Sequence, residues 1–237
     1  MTGPMIERIR TYRLRVELSR AEAFAYSQAQ VGFRTAMLVE IVADDGRSGW
    51  GEAYGPPAPS KTIIDELYAP RLIGRDPMDT TVIWEELYAS PRDYGRGGFP
   101  VAALSAVDIA LWDLKGIALG QPVAKLFGGG FTEALRIGAL ANTWGVTVYP
   151  HVWGSAVGLH ASMQWAASLP PNPFALVPGE LWFELDRTAN PFREGLAAEP
   201  LKRAGAIIEV PQRPGLGLEV DRAVVERHAV TTGESRR

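Results

Sequence analysis

Apolar and charged side chains alternate along residues 6–18, near the start of the chain. A period of two is typical of a β-strand that buries one face. A second apolar run, residues 36–42, leads into a turn at Gly46, and residues 49–53 begin a return strand. These segments predict an antiparallel three-stranded meander, with residues 19–35 as a long loop between its first two strands.

Helical spacing replaces this alternation after residue 56. Ser60 and Asp79 are candidate N-caps, and each is followed by apolar residues at helical intervals. A third helix is predicted over residues 100–119, and Gly120 is suited to end it. A meander followed by a helical bundle makes the first half of the chain an α+β domain.

A shorter alternation of helices and strands fills the second half. Helix, strand, helix and strand follow one another at the spacing typical of β/α units, and the strand that ends at His151 has the β-branched residues of a buried parallel strand. The predicted segments are residues 131–144, 146–151, 155–169 and 181–186. The tail from residue 191 is rich in Pro and Gly, with a strand candidate at residues 206–210, and residues 231–237 are expected to fray.

Composition narrows the possible functions. The 237 residues are 46% hydrophobic with a formal net charge of −3, which does not favour binding to nucleic acid or to an anionic membrane. No apolar run approaches the ~20 residues of a membrane-spanning helix, and the first residues lack the pattern of a signal peptide. Cysteine is absent and only three His are present, which excludes disulfides and leaves little scope for a His-rich metal site. We expect a cytoplasmic chain with no nucleic-acid or membrane partner.

Long stretches of the chain resemble one known family. The capping domain of the enolase superfamily, in its mandelate racemase and muconate lactonizing branch, is similar to LVEIVADDGRSGWGEAYG (38–55) and AALSAVDIALWDLKGIALGQPVAKLFGG (102–129). The end of that family's barrel domain is similar to residues 129–170, 181–196 and 207–221. The resemblance implies an α+β capping domain on a (β/α)₈ barrel.

The same resemblance implies that the barrel is incomplete. A full (β/α)₈ barrel takes ~250 residues, whereas 237 minus 129 leaves 108 residues after the capping segment. Only about two β/α units fit, so strands one to six of the barrel are missing. We therefore expect a capping domain over residues 1–129 with a return segment at residues 191–230, and a barrel remnant over residues 130–190.

The junction between these parts lies at Gly128-Gly129-Gly130. In the family, one Gly pair closes the capping segment and another opens the helix after strand six. Here a single run of three Gly stands both at the end of the capping segment and at the start of the following helix. An internal deletion, a splice product and an error in the gene model would each leave this sequence.

The family's reaction removes a proton α to a carboxylate. By resemblance, Mg²⁺ held by three Asp/Glu ligands on strands three to five would stabilise the enediolate, and a Lys or His base would take the proton. The Lys-x-Lys motif of strand two is not present, since the lysines of this chain are Lys61, Lys115, Lys125 and Lys202. Mg²⁺ is therefore expected for the intact family, and no residue of this chain is predicted to bind it.

Two residues match functional positions of the family. His151, at the end of the strand that corresponds to strand seven, matches the catalytic general base or acid. Glu184, on strand eight, matches a carboxylate that binds the acid group of the substrate. The alternatives are a strand-end His that bonds backbone groups and a half-exposed strand carboxylate. His160 and His228 are predicted to be surface residues.

Three other features have both a structural and a functional interpretation. Residues 24–34 correspond to the family's mobile loop, which closes over the substrate, but without a barrel below it an ordinary surface loop is favoured. Glu52 looks like a catalytic carboxylate, yet by resemblance it belongs to the capping sheet. Asp44 and Asp45 indicate a turn and not a metal site.

Three hypotheses follow for the whole chain. It descends from a Mg²⁺-dependent dehydratase or epimerase acting on a small-molecule acid sugar, but is not catalytically competent as it stands. Alternatively, it has a non-catalytic binding or assembly role, through self-association or pairing with an intact paralogue. In the third, the gene model is wrong and the functional enzyme is full length.

Overall fold

A four-stranded antiparallel sheet forms the centre of the fold. The computed structural model describes residues 3–26, 29–93, 95, 97–127, 132–169 and 181–236. The strands of the sheet are β1 (Ile6–Glu17), β4 (Phe33–Ala43), β5 (Ser48–Ala53) and β10 (Ala229–Arg236). Their order is β10-β1-β4-β5. Three of them form the predicted meander, in which Ile9 pairs with Ile41 and Val39 with Gly51.

The fourth strand corrects two predictions. β10 pairs with β1 from Arg8 to Leu14, with Thr11 opposite Gly233. The sheet therefore has four strands instead of three, and residues 231–236 are not frayed. The outer edge of β1 would otherwise expose unpaired N–H and C=O groups, and the returning tail satisfies them.

The predicted long loop contains a small hairpin. β2 (Phe24–Tyr26) and β3 (Ala29–Val31) pair antiparallel, and β4 begins at Phe33 instead of at residue 36. The loop prediction is therefore wrong for the second half of residues 19–35. β4 starts early because β1 continues to Glu17, which pairs with Phe33.

Helices cover one face of the sheet. They are α1 (Pro57–Ile63), a π-helical turn (Ile64–Tyr68), α2 (Ala69–Leu72), α3 (Thr80–Ala89) and α4 (Phe99–Leu119). Ser60 is not an N-cap, because the first helix already begins at Pro57, whose fixed φ suits a first turn, and Ser60 is buried within it. Asp79 does precede α3, although its side chain makes no capping hydrogen bond. Gly120 ends α4 with a φ of 66°, as predicted.

The longest helix, α4, lies directly against β5. A Cβ at Gly51 would be 1.9 Å from the carbonyl oxygen of Ala106, and a Cβ at Gly49 would be 2.2 Å from that of Ala110. The helix backbone can approach this closely because both strand residues lack a side chain. Trp50 between them points to the other face of the sheet.

The sheet separates two apolar cores. One core lies between the sheet and the first-half helices and includes Ile9, Ile41 and Leu111. The other contains Leu38 and Trp50 together with side chains from the second half of the chain, namely Val157, Phe192, Leu216 and Val225. The second half is therefore fixed to the sheet by apolar burial.

The second half consists of short elements. They are α5 (Val123–Phe127), α6 (Thr132–Thr143), β6 (His151–Val152), α7 (Ala156–Ser168), β7 (Glu184–Leu185), α8 (Pro191–Gly195), β8 (Arg203–Ala204), β9 (Ile207–Ile208) and α9 (Arg222–His228). β6 and β7 form a parallel pair, and β8 and β9 form an antiparallel hairpin. The two helices predicted in this half correspond to α6 and α7.

The strands of the second half are much shorter than predicted. Val146 and Tyr149 are 59% and 48% exposed, so the segment before His151 is not a buried strand. The strand predicted over residues 181–186 is reduced to β7, and the one over residues 206–210 is reduced to β9. A pair with no further strand beside it has little to stabilise a longer ladder.

Some predictions concern residues that the structure does not describe. The Gly128-Gly129-Gly130 junction, the proline-rich break after residue 169 and Arg237 lie outside the described residues. Among the helices that the structure describes, none is long and apolar enough to cross a membrane.

Candidate functional site

His151 and Glu184 lie side by side on the parallel pair β6–β7. They are directly opposite in register, and His151 Nδ1 is 2.8 Å from Glu184 Oε1. Both side chains are largely exposed, at 68% and 66%. The structure therefore brings the two predicted site residues together as an imidazole–carboxylate pair that is open to solvent. A carboxylate in this position orients the imidazole, whereas the catalytic role of either residue stays a prediction.

The turn after His151 is held by Glu52, which lies on β5. The Glu52 carboxylate accepts hydrogen bonds from the backbone N–H of Ser155 (2.9 Å), the Ser155 hydroxyl (2.6 Å) and the backbone N–H of Gly158 (2.8 Å). These donors belong to the N-terminus of α7, where unpaired N–H groups favour a negative charge. Burial of the carboxylate raises the pKa of Glu52. Glu52 lies in the sheet as expected, and its contact with the second half was not predicted.

Ser155 completes this connection. It is the N-cap of α7, and its hydroxyl accepts from the N–H of Val157 at 3.2 Å while donating to Glu52. We expect Ser155→Ala to lower the free energy of unfolding by about 1–2 kcal/mol, because it removes both hydrogen bonds. Urea denaturation measures the loss. Ser155→Thr keeps the hydroxyl and should stay within about 0.5 kcal/mol of wild type; equal losses in the two variants would contradict the capping role.

Arg34 fixes the hairpin of residues 24–31 in place. Its Nε donates to the carbonyl of Ala189 (2.9 Å) and its Nη2 to the hydroxyl of Thr188 (2.5 Å). The guanidinium lies 3.9 Å from the centroid of the Phe24 ring, and that ring meets Trp153 edge-on at 5.2 Å. The segment predicted as a mobile loop or an ordinary surface loop therefore contacts the residues that follow β6 and those that follow β7.

Asp186 organises the turn that Arg34 contacts. It accepts from the backbone N–H of Thr188 and from Nη1 of Arg193, both at 2.8 Å. Burial acts to raise the pKa of Asp186, but the hydrogen bonds from Thr188 and the charge of Arg193 outweigh it, so the pKa lies below its usual value. Asn190 then caps α8 and donates to the carbonyl of Gly154 at 3.0 Å. This turn thus connects β7 to the segment that follows His151.

Two further carboxylates of α4 contact the second half. Asp108 accepts from the N–H and the hydroxyl of Thr132, both at 2.9 Å, and burial raises its pKa to about 6. Asp113 accepts from the N–H of Trp50 (2.8 Å) and of Leu216 (2.7 Å), and burial raises its pKa to about 7. The sequence gives little sign of these roles, apart from the presence of carboxylates on an otherwise apolar helix.

The remaining histidines are not simple surface residues. His160 is only 6% exposed, its Nδ1 lies 3.3 Å from the carbonyl oxygen of Leu216, and burial lowers its pKa. The surface prediction for His160 is therefore wrong. His228 is half-buried, with its ring edge-on to Phe192 at a centroid distance of 5.5 Å. Both residues therefore contact the second core, His160 at Leu216 and His228 at Phe192.

The residues present do not fit a Mg²⁺ site of the family's type. Over the described ranges, no three His, Asp or Glu side chains lie close enough together to hold a metal ion. The enclosed carboxylates of Glu52, Asp108 and Asp113 accept backbone N–H groups, which orients positive dipoles toward them and occupies the oxygens that a cation would need. Asp44 and Asp45 lie in the turn after β4, where the Asp45 carboxylate accepts a hydrogen bond from the backbone N–H of Arg47.

Two cavities adjoin the turn after His151. One, of about 610 Å³, lies between α4, α6 and α7 and has a largely apolar lining that includes Leu104 and Trp165; His151 is also among its lining residues. The other, of about 730 Å³, lies beneath the hairpin and is lined by the cationic side chains of Arg13 and Arg15. A carboxylate ligand favours a cationic lining. The candidate base and these cationic groups therefore face different cavities.

Comparison with known families matches both halves of the chain. Residues 8–128 match the family described as mandelate racemase / muconate lactonizing enzyme, N-terminal domain. Residues 124–224 match the family described as enolase C-terminal domain-like. The two matches overlap over residues 124–128, which end at the first glycine of the Gly128-Gly129-Gly130 junction.

Several curated relatives are similar to the chain. D-galactarolactone cycloisomerase of Agrobacterium fabrum is 24% identical over 368 aligned positions, which cover 92% of this chain and 97% of the relative. Since 368 minus 237 is 131, at least that many aligned positions have no residue of this chain opposite them. Arabinonate dehydratase of Saccharolobus solfataricus is 34% identical over 129 residues, covering 53% of this chain and 35% of the relative. The chain thus matches about a third of the length of the latter.

Solved structures show the same fold. 3,6-anhydro-D-galactonate cycloisomerase from Zobellia galactanivorans superposes with a TM-score of 0.79 at 22% identity, covering 96% of this chain and 100% of that one. L-talarate dehydratase from Polaromonas sp. JS666, complexed with Mg and L-glucarate, gives a TM-score of 0.78 at 17% identity, covering 99% and 100%. At these identities the likeness concerns the fold alone.

Proposed function

The chain belongs to the mandelate racemase and muconate lactonizing enzyme family of the enolase superfamily, and from this premise we propose that it derives from a Mg²⁺-dependent acid-sugar dehydratase or epimerase whose active site it no longer completes. In this proposal residues 1–129 and 191–230 form the capping part, and residues 130–190 are a remnant of the barrel. The names of the relatives, which are acid-sugar cycloisomerases and dehydratases, support the substrate class.

The pair His151–Glu184 carries the proposal. An imidazole held by a carboxylate can take a proton from a carbon acid. The enediolate formed in such a step concentrates negative charge, and stabilising that charge is usually the largest part of lowering the barrier. The pair lies in solvent, and the carboxylates near it are engaged with backbone donors. These features favour an ancestral base at His151 that lacks the positive groups needed to stabilise the enediolate.

The lysines of the chain support the same conclusion. Lys61 forms an ion pair with Asp65, and Lys115 donates to the carbonyl of Met78 at 2.8 Å, both within the first half. None of the four lysines belongs to a Lys-x-Lys motif, and none is among the described residues that line the cavity at His151. His151 is therefore the only residue for which we propose an inherited base function, and Glu184 is proposed as its former substrate-binding neighbour.

We expect no Mg²⁺-dependent turnover by the purified 237-residue chain. Dehydration and α-proton exchange would be measured with D-galactonate, D-galactarolactone, arabinonate and L-glucarate, with and without Mg²⁺. The rate should equal that of a His151→Asn variant, since an isolated base lacks the main source of transition-state stabilisation. The Agrobacterium fabrum cycloisomerase, assayed with D-galactarolactone, is the positive control.

One outcome would overturn this proposal. Metal-dependent turnover that is present in the wild-type chain and lost in His151→Asn would mean that the chain assembles a working site. In that case Glu184→Gln should reduce turnover as well, because the carboxylate is 2.8 Å from the imidazole. Turnover that survives both substitutions would point to a contaminating enzyme and would be removed by further purification.

A non-catalytic assembly role is the second candidate. The observation that favours it is the exposure of large apolar side chains in the second half, where Trp144 is 76% and Trp182 is 64% exposed. Exposed aromatic side chains of this size are common at protein–protein contacts. Pairing with an intact paralogue or self-association would cover them.

A further inference from the structure

A cavity of about 330 Å³ lies between α7, α8 and β8. His160 on α7 lines it together with the apolar side chains of Leu159, Leu185 and Leu201. None of the described residues that line it also lines either of the two cavities beside the turn after His151. Its volume is near the lower end of the range for ligand pockets, so its occupant is a small molecule or ion.

His160 presents a ring nitrogen to this cavity. The side chain is only 6% exposed, and its Nδ1 lies 3.3 Å from the carbonyl oxygen of Leu216. A carbonyl accepts only from an N–H, so in the neutral ring Nδ1 carries the proton and Nε2 keeps a lone pair. Nε2 has no hydrogen-bond partner among the described residues, whose fully enclosed side-chain atoms without a partner are Arg8 Nε and Ser60 Oγ. Nε2 is therefore accessible through the cavity, where it can accept a hydrogen bond.

Two arginines of the lining have no acidic partner in the described part of the chain. Arg193 forms ion pairs with Asp186 at 2.8 Å and with Glu194 at 3.2 Å. Arg187 and Arg203 are exposed, and neither forms an ion pair with a residue that the structure describes. Three arginines minus two carboxylates give the described lining a formal charge of +1. Arg187 and Arg203 are thus available to bind an anion.

We propose that this cavity binds a hydrogen phosphate ion, whose O–H donates to Nε2 of His160 and whose charged oxygens bind Arg187 and Arg203. The arginines require an anion, and guanidinium groups suit the oxygens of phosphate. The lone pair of Nε2 requires a donor on the same anion. Hydrogen phosphate has such a donor at neutral pH, whereas sulfate and carboxylates have none. This site goes beyond the function proposed above, because it does not involve His151.

Calorimetric titration with sodium phosphate tests the proposal. At pH 7.5 and constant ionic strength, the wild-type chain should bind phosphate in a saturable manner with a single site. Arg203→Gln should raise the Kd roughly tenfold or more, because it removes a charge-assisted contact, and its exposed position should leave folding intact. Arg227→Gln is the matched control, since Arg227 is also exposed but is not among the lining residues, and its Kd should equal that of wild type.

A comparison with sulfate separates the role of Nε2 from that of the arginines. Burial lowers the pKa of His160, so the ring is neutral at pH 7.5 and has nothing to accept from sulfate. Sulfate should therefore bind at least about tenfold more weakly than phosphate at pH 7.5. Its affinity should increase as the pH falls to 5.5, because a protonated ring donates to it.

The variant His160→Gln assigns this difference to the ring. An amide both donates and accepts, so phosphate and sulfate should bind this variant with similar affinity at pH 7.5. Asp113, which accepts from the N–H of Leu216, has a pKa of about 7 and also titrates in this range. It is retained in His160→Gln, so any pH dependence that comes from Asp113 remains there. The charged groups that line the cavity with the ring are Asp186, Arg187, Arg193, Glu194 and Arg203.

Methyl phosphate distinguishes a phosphate ester from the free ion. An ester loses its last proton at about pH 6, so at pH 7.5 it should bind more weakly than free phosphate, and tighter binding of the ester would contradict the proposal. Three further results would overturn it: no saturable phosphate binding by the wild-type chain, an unchanged Kd in Arg203→Gln, or equal affinities for phosphate and sulfate at pH 7.5. None of these three depends on the folding of His160→Gln.

Discussion

Asp113→Ala is expected to lower the free energy of unfolding by about 4 kcal/mol at pH 5. Asp113 is 3% exposed, and each of its oxygens accepts one backbone N–H, from Trp50 at 2.8 Å and from Leu216 at 2.7 Å. Removing the carboxyl leaves both donors buried without an acceptor, at a cost of about 1–3 kcal/mol each. Urea unfolding followed by tryptophan fluorescence measures the loss.

Two variants define the limits of this effect. Asp93→Ala changes an aspartate whose side chain is 79% exposed, and it should alter stability by less than about 0.5 kcal/mol. Asp113→Asn keeps one acceptor oxygen and should fall between this control and the alanine variant. A loss below about 1 kcal/mol in Asp113→Ala would show that neither hydrogen bond matters to the folded chain.

The large effect expected at Asp113 follows from its position between three segments. It lies on α4, bonds β5 through Trp50, and holds the turn at Gly215 and Leu216. Gly215 has a φ of 71°, and a Cβ there would be 2.2 Å from Asp113 Oδ1. The turn can therefore approach the carboxylate only because residue 215 is a glycine. The connection between the halves of the chain depends on this approach.

The first half of the fold is largely predictable from the sequence. The alternation in β1, the turn at Gly46 and the helical spacing of α4 are local patterns, and the structure confirms them. The pairing of β10 with β1 is not local, since it joins residues more than two hundred positions apart, such as Thr11 and Gly233. Local patterns also fail in the second half of the chain. There, β-branched residues before His151 predict a strand, but such a strand would need neighbouring strands to stabilise it.

The site could be predicted only in part. His151 and Glu184 were identified by resemblance, but their contact depends on the parallel register of β6 and β7, which no spacing in the sequence reveals. The roles of Glu52, Asp108 and Asp113 depend on backbone N–H groups 103, 24 and 103 residues away, at Ser155, Thr132 and Leu216. Every residue has such a donor except proline, so the partner of a buried carboxylate leaves no mark in the sequence.

Raising the pH from 5 to 8 should lower the free energy of unfolding of the wild-type chain more than that of Asp113→Asn. The difference between the two losses should be about 3 kcal/mol. The pKa of Asp113 is raised from 3.8 to about 7 by burial. In this window the unfolded aspartate is ionised while the folded one holds its proton until about pH 7. The stability that this group contributes is complete below pH ~4 and is lost as the pH rises through 7, at about 1.4 kcal/mol for each unit. Asp108, with a pKa raised to about 6, adds a smaller loss of the same sign.

Other titratable groups explain why the wild-type chain must be compared with the Asp113→Asn variant. His160, which contacts the carbonyl of Leu216, has its pKa lowered by burial, so its contribution to stability increases with pH and opposes that of Asp113. Glu40 and Asp186 have lowered pKa values and are ionised throughout the window, so they contribute no slope. These groups are present in both the wild-type chain and Asp113→Asn. Their contributions to the pH dependence of stability therefore cancel when the two chains are compared. Urea unfolding of both chains at pH 5, 6, 7 and 8 measures it, and parallel stability curves would mean that Asp113 holds no proton in the folded state.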